Sequence, residues 1–334
     1  MEKVSHMGRA KLGIALGGGA ARGWSHIGVL KRLARAGIEP DIIVGTSIGA
    51  VVGGCYVAGQ LGEMESFAGG LTRRKVFGYL DFNLSGSGLI SGQKLCDRLE
   101  THLKDTTIEQ LPRKFVAIAT ELATGHEVWL QRGRVVDAMR ASYALPGIFK
   151  PVRLNNRWLF DGALVNPIPV SVCRALGARY VIAVNLNSDS GRGSVMPHFD
   201  EDDVPTTEEM NTLAQPSNPG MSNARAAVEL LRRQFFGVSS DAPGISTVML
   251  EAINIVTDRI ARSRLAGDPP DISISPRLAD IGLFDFHRAQ EMIEKGEEAA
   301  ERALEEIRRA LALPPPATAR DPHQIEQMAS PRQI

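Results

Sequence analysis

Chemistry concentrates first at Gly45-Thr46-Ser47-Ile48-Gly49, where a serine stands between two glycines one residue removed on either side. A hydroxyl is a weak nucleophile until a base takes its proton and hydrogen-bond donors stabilise the oxyanion it generates. Gly-x-Ser-x-Gly also arises by chance, so the flanks decide its meaning. Upstream, Ile42-Ile43-Val44 is a β-branched run; downstream, small and apolar residues continue without proline. That pattern predicts a buried strand, a tight turn and a helix start, with the serine at the apex near a helix N-terminus. The same uncharged stretch, with Gly45, Gly49 and Gly53 four apart, imitates a membrane helix; the strand, elbow and helix account for those glycines more simply.

Donors for an oxyanion are offered by Gly17-Gly18-Gly19-Ala20-Ala21-Arg22-Gly23, which follows the apolar run Leu12–Leu16 and precedes a helix expected from about Trp24 to Ala36. Backbone amides are open there, and Arg22 adds a positive charge. Ile27, Leu30, Leu33 and Ala34 mark the buried face of the helix. Gly37 ends it, and Pro40-Asp41 leads into the Ile42-Ile43-Val44 strand, making a right-handed βαβ unit with parallel strands. If the strands are neighbours, the glycine loop stands beside Ser47 at the sheet edge where open α/β folds bind ligands. The rival reading of the loop is a phosphate cradle for a dinucleotide. That fingerprint needs an acidic residue at the end of the second strand, whereas Asp41 sits at its beginning.

For the base, Asp161 in Phe160-Asp161-Gly162 is a candidate. Asp-Gly commonly turns a hairpin, but Asn155-Asn156 already makes one between Phe149–Leu154 and Arg157–Phe160, which leaves Asp161 at a strand end. Histidine is the more usual base, and the internal candidates are His26, His102, His126, His198 and His287, with His6 and His323 in the termini. The serine-acid-histidine chain order of α/β-hydrolases would leave His198 or His287.

Three motifs in one order, Gly18-Gly19-Ala20-Ala21-Arg22-Gly23, Gly45-Thr46-Ser47-Ile48-Gly49 and Asp161-Gly162-Ala163, resemble the patatin-like phospholipase family. Ala144–Pro151 and Gly162–Pro167 add to the likeness, which runs from about Leu12 to Leu186 and suggests a bacterial single-domain member. The resemblance implies a three-layer α/β/α fold with a mostly parallel sheet, and a Ser-Asp dyad in which Ser47 is nucleophile and Asp161 base. It further implies an oxyanion hole from the amides of Gly18, Gly19 and Ala20 with Arg22 near them, supported by Gly23, Gly45, Gly49 and Gly162. One departure stands out: Ala20 occupies the family's third glycine position and resists positive φ. The implied substrate is a phospholipid or lysophospholipid, cleaved through an acyl-enzyme with no cofactor and no metal. Broader carboxylesterase, lipase or thioesterase activity is the alternative, and a non-catalytic lipid- or dinucleotide-binding protein a further one.

The totals agree with this frame. In 334 residues, 38 basic and 38 acidic side chains balance to zero net charge, which disfavours nucleic acid as partner. Cys55, Cys96 and Cys173 form neither a disulfide framework nor a zinc spacing, as suits a reducing cytosol. The expected place is the cytoplasm, with peripheral contact at the inner membrane surface allowed and a homodimer left open. One hydrolase domain is expected over residues 11–313, after a flexible N-terminus at 1–10. It carries a polar, mobile insertion at about 187–220, and a disordered tail spans 314–334. Further elements are a helix from Gly92 to Leu103, a strand at Phe115–Thr120, a hairpin over Gly125–Gly133, and helices at Val135–Tyr143 and Val170–Leu176. Beyond them come a strand at Tyr180–Val184, an amphipathic helix over Ser246–Leu265 with Met249, Ile253, Val256 and Ile260 on its apolar face, a strand at Asp271–Ser275, and a charged helix over Phe286–Leu313. Met221–Phe236 is a further helix and a candidate lipid-facing flap.

Overall fold

The computed structural model describes residues 10–72, 75, 93–187 and 245–313. The expected insertion at about 187–220, the Met221–Phe236 helix, the N-terminus and the 314–334 tail lie almost wholly outside them. Among the described residues eight strands form one sheet: β1 (Leu12–Leu16), β2 (Ile42–Thr46), β3 (Lys114–Glu121), β4 (Glu127–Leu130), β5 (Val152–Leu154), β6 (Arg157–Asp161), β7 (Tyr180–Val184) and β8 (Ile272–Ile274). Their order is β5-β6-β3-β2-β1-β7-β8, with β4 paired to β3. The strands β3, β2, β1, β7 and β8 run parallel; β4, β5 and β6 are joined by antiparallel pairings.

Both β1 and β2 are buried along their whole length, as continuous apolar runs covered on two faces should be. One face packs on α1 (Ser25–Arg35), α2 (Ile48–Val57), α3 (Leu61–Gly69), α4 (Gln93–Leu103) and α5 (Val135–Tyr143). The other carries α6 (Val170–Ala175) and part of α7 (Ile245–Gly267), which contributes Ala261 and Leu265. A last helix, α8 (Ala289–Ala310), lies against α1 so closely that a Cβ on Gly28 would meet the Ile293 carbonyl oxygen at 1.9 Å. The architecture is therefore a three-layer α/β/α fold. Because α8 covers α1, the buried surface of α1 is wider than a single stripe and includes Val29, while Ala34, expected inside, is exposed.

β3 acts as a ruler for the site. Its residues 117 and 118 pair with β2 on one side and β4 on the other, so β4 lies on the side away from β2. Residues 119 and 120 pair with both β4 and β6, which puts β6 on the β2 side, just beyond the end of β2. Thr46 faces Ile118 and Asp161 faces Ala119. Successive residues of one strand thus carry the end of the serine strand and the aspartate. The turn between β5 and β6 has Asn155 at φ 47° and Asn156 at φ 63°, the two left-handed residues that a type I′ hairpin requires. The hairpin expected within Gly125–Gly133 is instead β3 with β4; Gly125, at φ 69°, belongs to the turn between them.

Candidate active site

Ser47 sits between β2 and α2 at φ 57°, ψ −126°, a conformation that costs a side-chain-bearing residue about 1–3 kcal/mol and persists only where surroundings impose it. Those surroundings are visible. The Ser47 N–H donates to Ser142 Oγ (2.9 Å), and Ser142 in turn donates to the Ile118 carbonyl (2.6 Å). The Ser47 carbonyl accepts from the Ala50 amide at 2.9 Å and starts α2. Thr46 Oγ1 donates to the Asn166 carbonyl at 2.8 Å. The strand and helix of the elbow meet without room for a side chain: a Cβ on Gly45 would lie 2.4 Å from the Gly49 carbonyl oxygen, and one on Gly49 would lie 2.2 Å from that of Leu16.

The Ser47 hydroxyl donates to Asp161 Oδ2 at 2.6 Å. Asp161 is 1% exposed, and its other oxygen accepts the Ala163 N–H at 2.8 Å, capping a turn of 3-10 helix at Gly162–Leu164. Its carbonyl accepts from Thr120 Oγ1 at 2.8 Å. Burial pushes the carboxyl up to about 6, and the hydrogen bonds from Ser47 and Ala163 hold it from going further. A carboxylate with affinity for a proton near neutrality is suited to proton exchange.

The glycine loop arrives beside the pair as expected. Gly18 packs against it: a Cβ there would stand 3.4 Å from Ala163 Cβ and 3.5 Å from Ser47 Cβ. Its amide is already committed, donating to the Pro167 carbonyl at 3.0 Å, so the expectation that the Gly18 amide serves as an oxyanion donor fails. The amides of Gly19 and Ala20 meet no acceptor among the described residues. Ala20 does adopt positive φ, at 47°, the conformation it was expected to resist.

Arg22 also departs from expectation. Its guanidinium is not among the groups lining the cleft. It is 1% exposed, donates from Nε to the Ile281 carbonyl (2.8 Å) and from Nη1 to Asn187 Oδ1 (3.3 Å), and so ties the loop to the segment before α8. Burial lowers its proton affinity, against which the charges of Asp285 and Glu251 act.

The cleft above Ser47 and Asp161 has a volume of about 140 Å³. Gly18, Gly19 and Ala20 form part of one wall; Val51, Leu95, Tyr143, Leu145, Ile148 and Phe149 form another. Leu250, Ile253, Asn254 and Thr257 of α7 face it, with Leu283, Phe284 and Phe286 beside them. Here the helix departs from its sequence reading. The buried positions of α7 are Leu250, Thr257 and Ala261, while Met249 is 53% and Val256 49% exposed. The apolar face chosen from periodicity is rotated because the cleft side also carries polar Asn254 and Thr257.

No histidine among the described residues lines the cleft. His26 is buried and bonded to the Gly17 carbonyl, and His287 lies in the 3-10 turn before α8; His6, His198 and His323 lie outside the described residues. Ser142, Thr120 and Asn166, which hold the pair in place, were not singled out in the sequence. Asn166 falls within the quoted Gly162–Pro167 stretch without a role assigned to it, Ser142 and Thr120 carry no motif of their own, and only the fold brings them to Ser47 and Asp161.

A hydroxyl held on a carboxylate at the floor of an apolar cleft suits acyl esters with apolar tails, and the class is an acyl-ester hydrolase. More closely, the chain belongs to the patatin-like phospholipase family. The family model Patatin-like phospholipase matches residues 14–174. An uncharacterized NTE family protein of Mycobacterium tuberculosis is 33% identical over 335 residues, covering 88% of this chain and 91% of that one. Lysophospholipase nte1 of Emericella nidulans is 25% identical over 331 residues, covering 97% of this chain and 20% of that much longer protein. Among solved structures, VipD from Legionella pneumophila shares the fold at a TM-score of 0.51 and 12% identity, over 90% of this chain and 67% of that one.

Proposed function

We propose that the chain hydrolyses phospholipid or lysophospholipid esters with Ser47 as nucleophile and Asp161 as the sole general base, through an acyl-enzyme. The observation that carries this reading is the 2.6 Å hydrogen bond from Ser47 Oγ to a buried carboxylate. As Oγ attacks the substrate carbonyl carbon, its proton passes to Asp161. The tetrahedral oxyanion forms beside the amides of Gly19 and Ala20, the donors left open in the loop. Collapse expels the glyceryl alkoxide, which takes the proton from Asp161 and leaves an ester on Ser47. Water then repeats the sequence, giving its proton to Asp161 and releasing the fatty acid. Arg22 supports the loop from behind. The apolar walls suit an acyl tail, and the relatives named as lysophospholipases favour that substrate class.

The test is fluorophosphonate labelling of wild type, Ser47→Ala and Asp161→Asn, with the adduct located by mass spectrometry, alongside hydrolysis of lysophosphatidylcholine. One adduct on Ser47, lost in Ser47→Ala and much slower in Asp161→Asn, is expected. An adduct retained in Ser47→Ala overturns the reading. Turnover of soluble short-chain esters without lipid hydrolysis would instead favour a broader esterase, and no serine-dependent turnover a binding protein.

The proposal extends to one hydrolase domain over residues 11–313, since β7 and β8 complete the sheet of β1 and β2. No helix among the described residues is long and apolar enough to cross a membrane. Contact with lipid would then be peripheral, and the β5–β6 hairpin fits it. Trp158 is 50% exposed with Arg153 over its ring at 5.9 Å, and between Asp137 and Asp161 the chain has four basic residues and no acidic one. Basic and aromatic side chains together favour an anionic interface. The three cysteines are buried and free, which fits the proposed cytoplasmic location.

A further inference from the structure

Three consecutive glycines follow β1, and none has a side chain to set its backbone. Their conformation must be imposed by neighbours: Gly19 packs on Leu186 and its carbonyl accepts from the Arg22 N–H at 3.1 Å, while Gly17 and Gly18 are held by hydrogen bonds from outside the loop. The Gly17 N–H donates to the Val184 carbonyl at 3.1 Å, extending the β1–β7 pairing. The Gly17 carbonyl accepts from His26 Nε2 at 2.8 Å, and the Gly18 N–H donates to the Pro167 carbonyl at 3.0 Å. The last two groups belong to one planar peptide. That plane is therefore held at both ends, by α1 through His26 and by the segment after Asp161 through Pro167. The next peptide along carries the Gly19 N–H, so the orientation of the first constrains where that amide points.

His26 is 0% exposed. Its partner, a carbonyl oxygen, only accepts, so Nε2 carries the proton. Burial brings the ring down to about 4, leaving it neutral at physiological pH with Nδ1 bare. Nδ1 is buried and meets no donor among the described residues. An apolar ring of similar size would fill the space without an unpaired nitrogen. What histidine adds at this position is the Nε2–H.

We propose that His26 is a positioning residue for the oxyanion loop: its Nε2–H fixes the Gly17–Gly18 peptide and thereby aims the Gly19 amide at the carbonyl attacked by Ser47. The inference rests on the Ser47 reading and concerns a side chain that does not line the cleft. Its effect belongs to the transition state, because the oxyanion exists only there and in the intermediates.

The experiment compares wild type, His26→Phe, His26→Gln and His26→Asn on lysophosphatidylcholine. A trifluoromethyl ketone, which forms an oxyanion when Ser47 adds to it, serves as a second probe, and a fatty alcohol, which carries neither an acyl carbon nor an anion, as a third. Glutamine places an amide N–H near the Nε2 position; asparagine does not reach it. For His26→Phe we expect kcat to fall about 100-fold with KM changed less than about 3-fold, the size of losing one oxyanion donor. Ketone affinity should weaken in parallel while fatty-alcohol affinity stays level, and His26→Gln should recover to within about 10-fold of wild type. Unchanged kcat in folded His26→Phe overturns the proposal, as does equal loss of ketone and fatty-alcohol affinity. If His26→Phe does not fold, the glutamine and asparagine pair decides: equal activity in the two refutes the donor role, and a clear advantage for glutamine supports it. Failure of the underlying reading shows separately, as activity surviving in Ser47→Ala.

Discussion

The floor and the cover of the cleft are built by different means. On the floor, Ser47, Asp161 and the glycine loop stand at ends of β1, β2 and β6, each held by directional hydrogen bonds with Ser142, Ala163, Pro167 and His26. The cover, α7, contributes Leu250, Ile253, Asn254 and Thr257 to the cleft through side-chain placement, and turns Val248, Met249, Ile255 and Val256 outward. A directional network tolerates little displacement; an apolar contact surface is non-directional and tolerates repacking. Chemistry is accordingly placed on the floor, and shape and apolarity on the cover.

Removal of floor groups is the hardest blow to this contrast. Ser47→Ala should lower kcat at least about 10⁴-fold, and Asp161→Asn by about 10³- to 10⁴-fold, in steady-state hydrolysis of lysophosphatidylcholine, by comparison with the loss of members of other serine hydrolase sites. Leu250→Ala on the cover should cost far less activity, under about 30-fold and mainly in KM, because it removes contact and no reacting group. Comparable kcat losses in the two sets would dissolve the distinction.

The elbow's tight packing gives the next effect. Gly49→Ala puts a Cβ 2.2 Å from the Leu16 carbonyl oxygen, and backbone atoms must move; a loss of about 3 kcal/mol or more is expected in urea unfolding. Ser142→Ala, which leaves the Ser47 amide without its acceptor, should cost about 1–3 kcal/mol and lower kcat about 10-fold.

Asp161 gives a pH signature the cover lacks. With its proton affinity raised to about 6, activity needing the ionised form should rise with pH through about 6. Folded Asp161 binds its proton more tightly than the unfolded chain does, so its contribution to stability is full below the ordinary aspartate value of 3.8. That contribution is lost as pH climbs to about 6 and stays lost above. The difference is about 3 kcal/mol. Asp161→Asn should therefore flatten the wild-type decline in unfolding free energy between those pH values; a wild type flat across the window would contradict the buried carboxyl.

The smallest effect sharpens the helix. Val256→Ser on the outward face of α7 should change stability by less than about 0.5 kcal/mol, whereas Leu250→Ala, one turn and a half away on the cleft side, should cost about 2–3 kcal/mol. The reverse order would restore the face read from periodicity.

Much of the floor was legible in the chain because its signals are local. The strand that opens at Ile42, its glycine-flanked turn and the Asn155-Asn156 hairpin each follow from backbone preferences of adjacent residues, and β1 and β7 end where their apolar runs end, whereas β2 continues past Val44 to Thr46. The face of α7 was misjudged because a helix over a ligand cleft places polar groups inward and leaves apolar ones outside, so amphipathicity no longer reports burial. Gly18 and Arg22 were assigned with the correct loop and the wrong tasks, since their partners, Pro167, Ile281 and Asn187, are far away in the chain.

The sequence by itself determined the elbow, the glycine loop, the two candidate reacting groups and the α/β order of elements, all properties of short segments and their periodicity. Only the tertiary structure decided that β3 outruns β2 and receives β6 on the same side, which brings Asp161 within 2.6 Å of Ser47. It also decided which loop amides are spent and which are open. Hydrogen-bond partnership between residues more than a hundred positions apart depends on register and packing of the whole sheet, and no local preference encodes that.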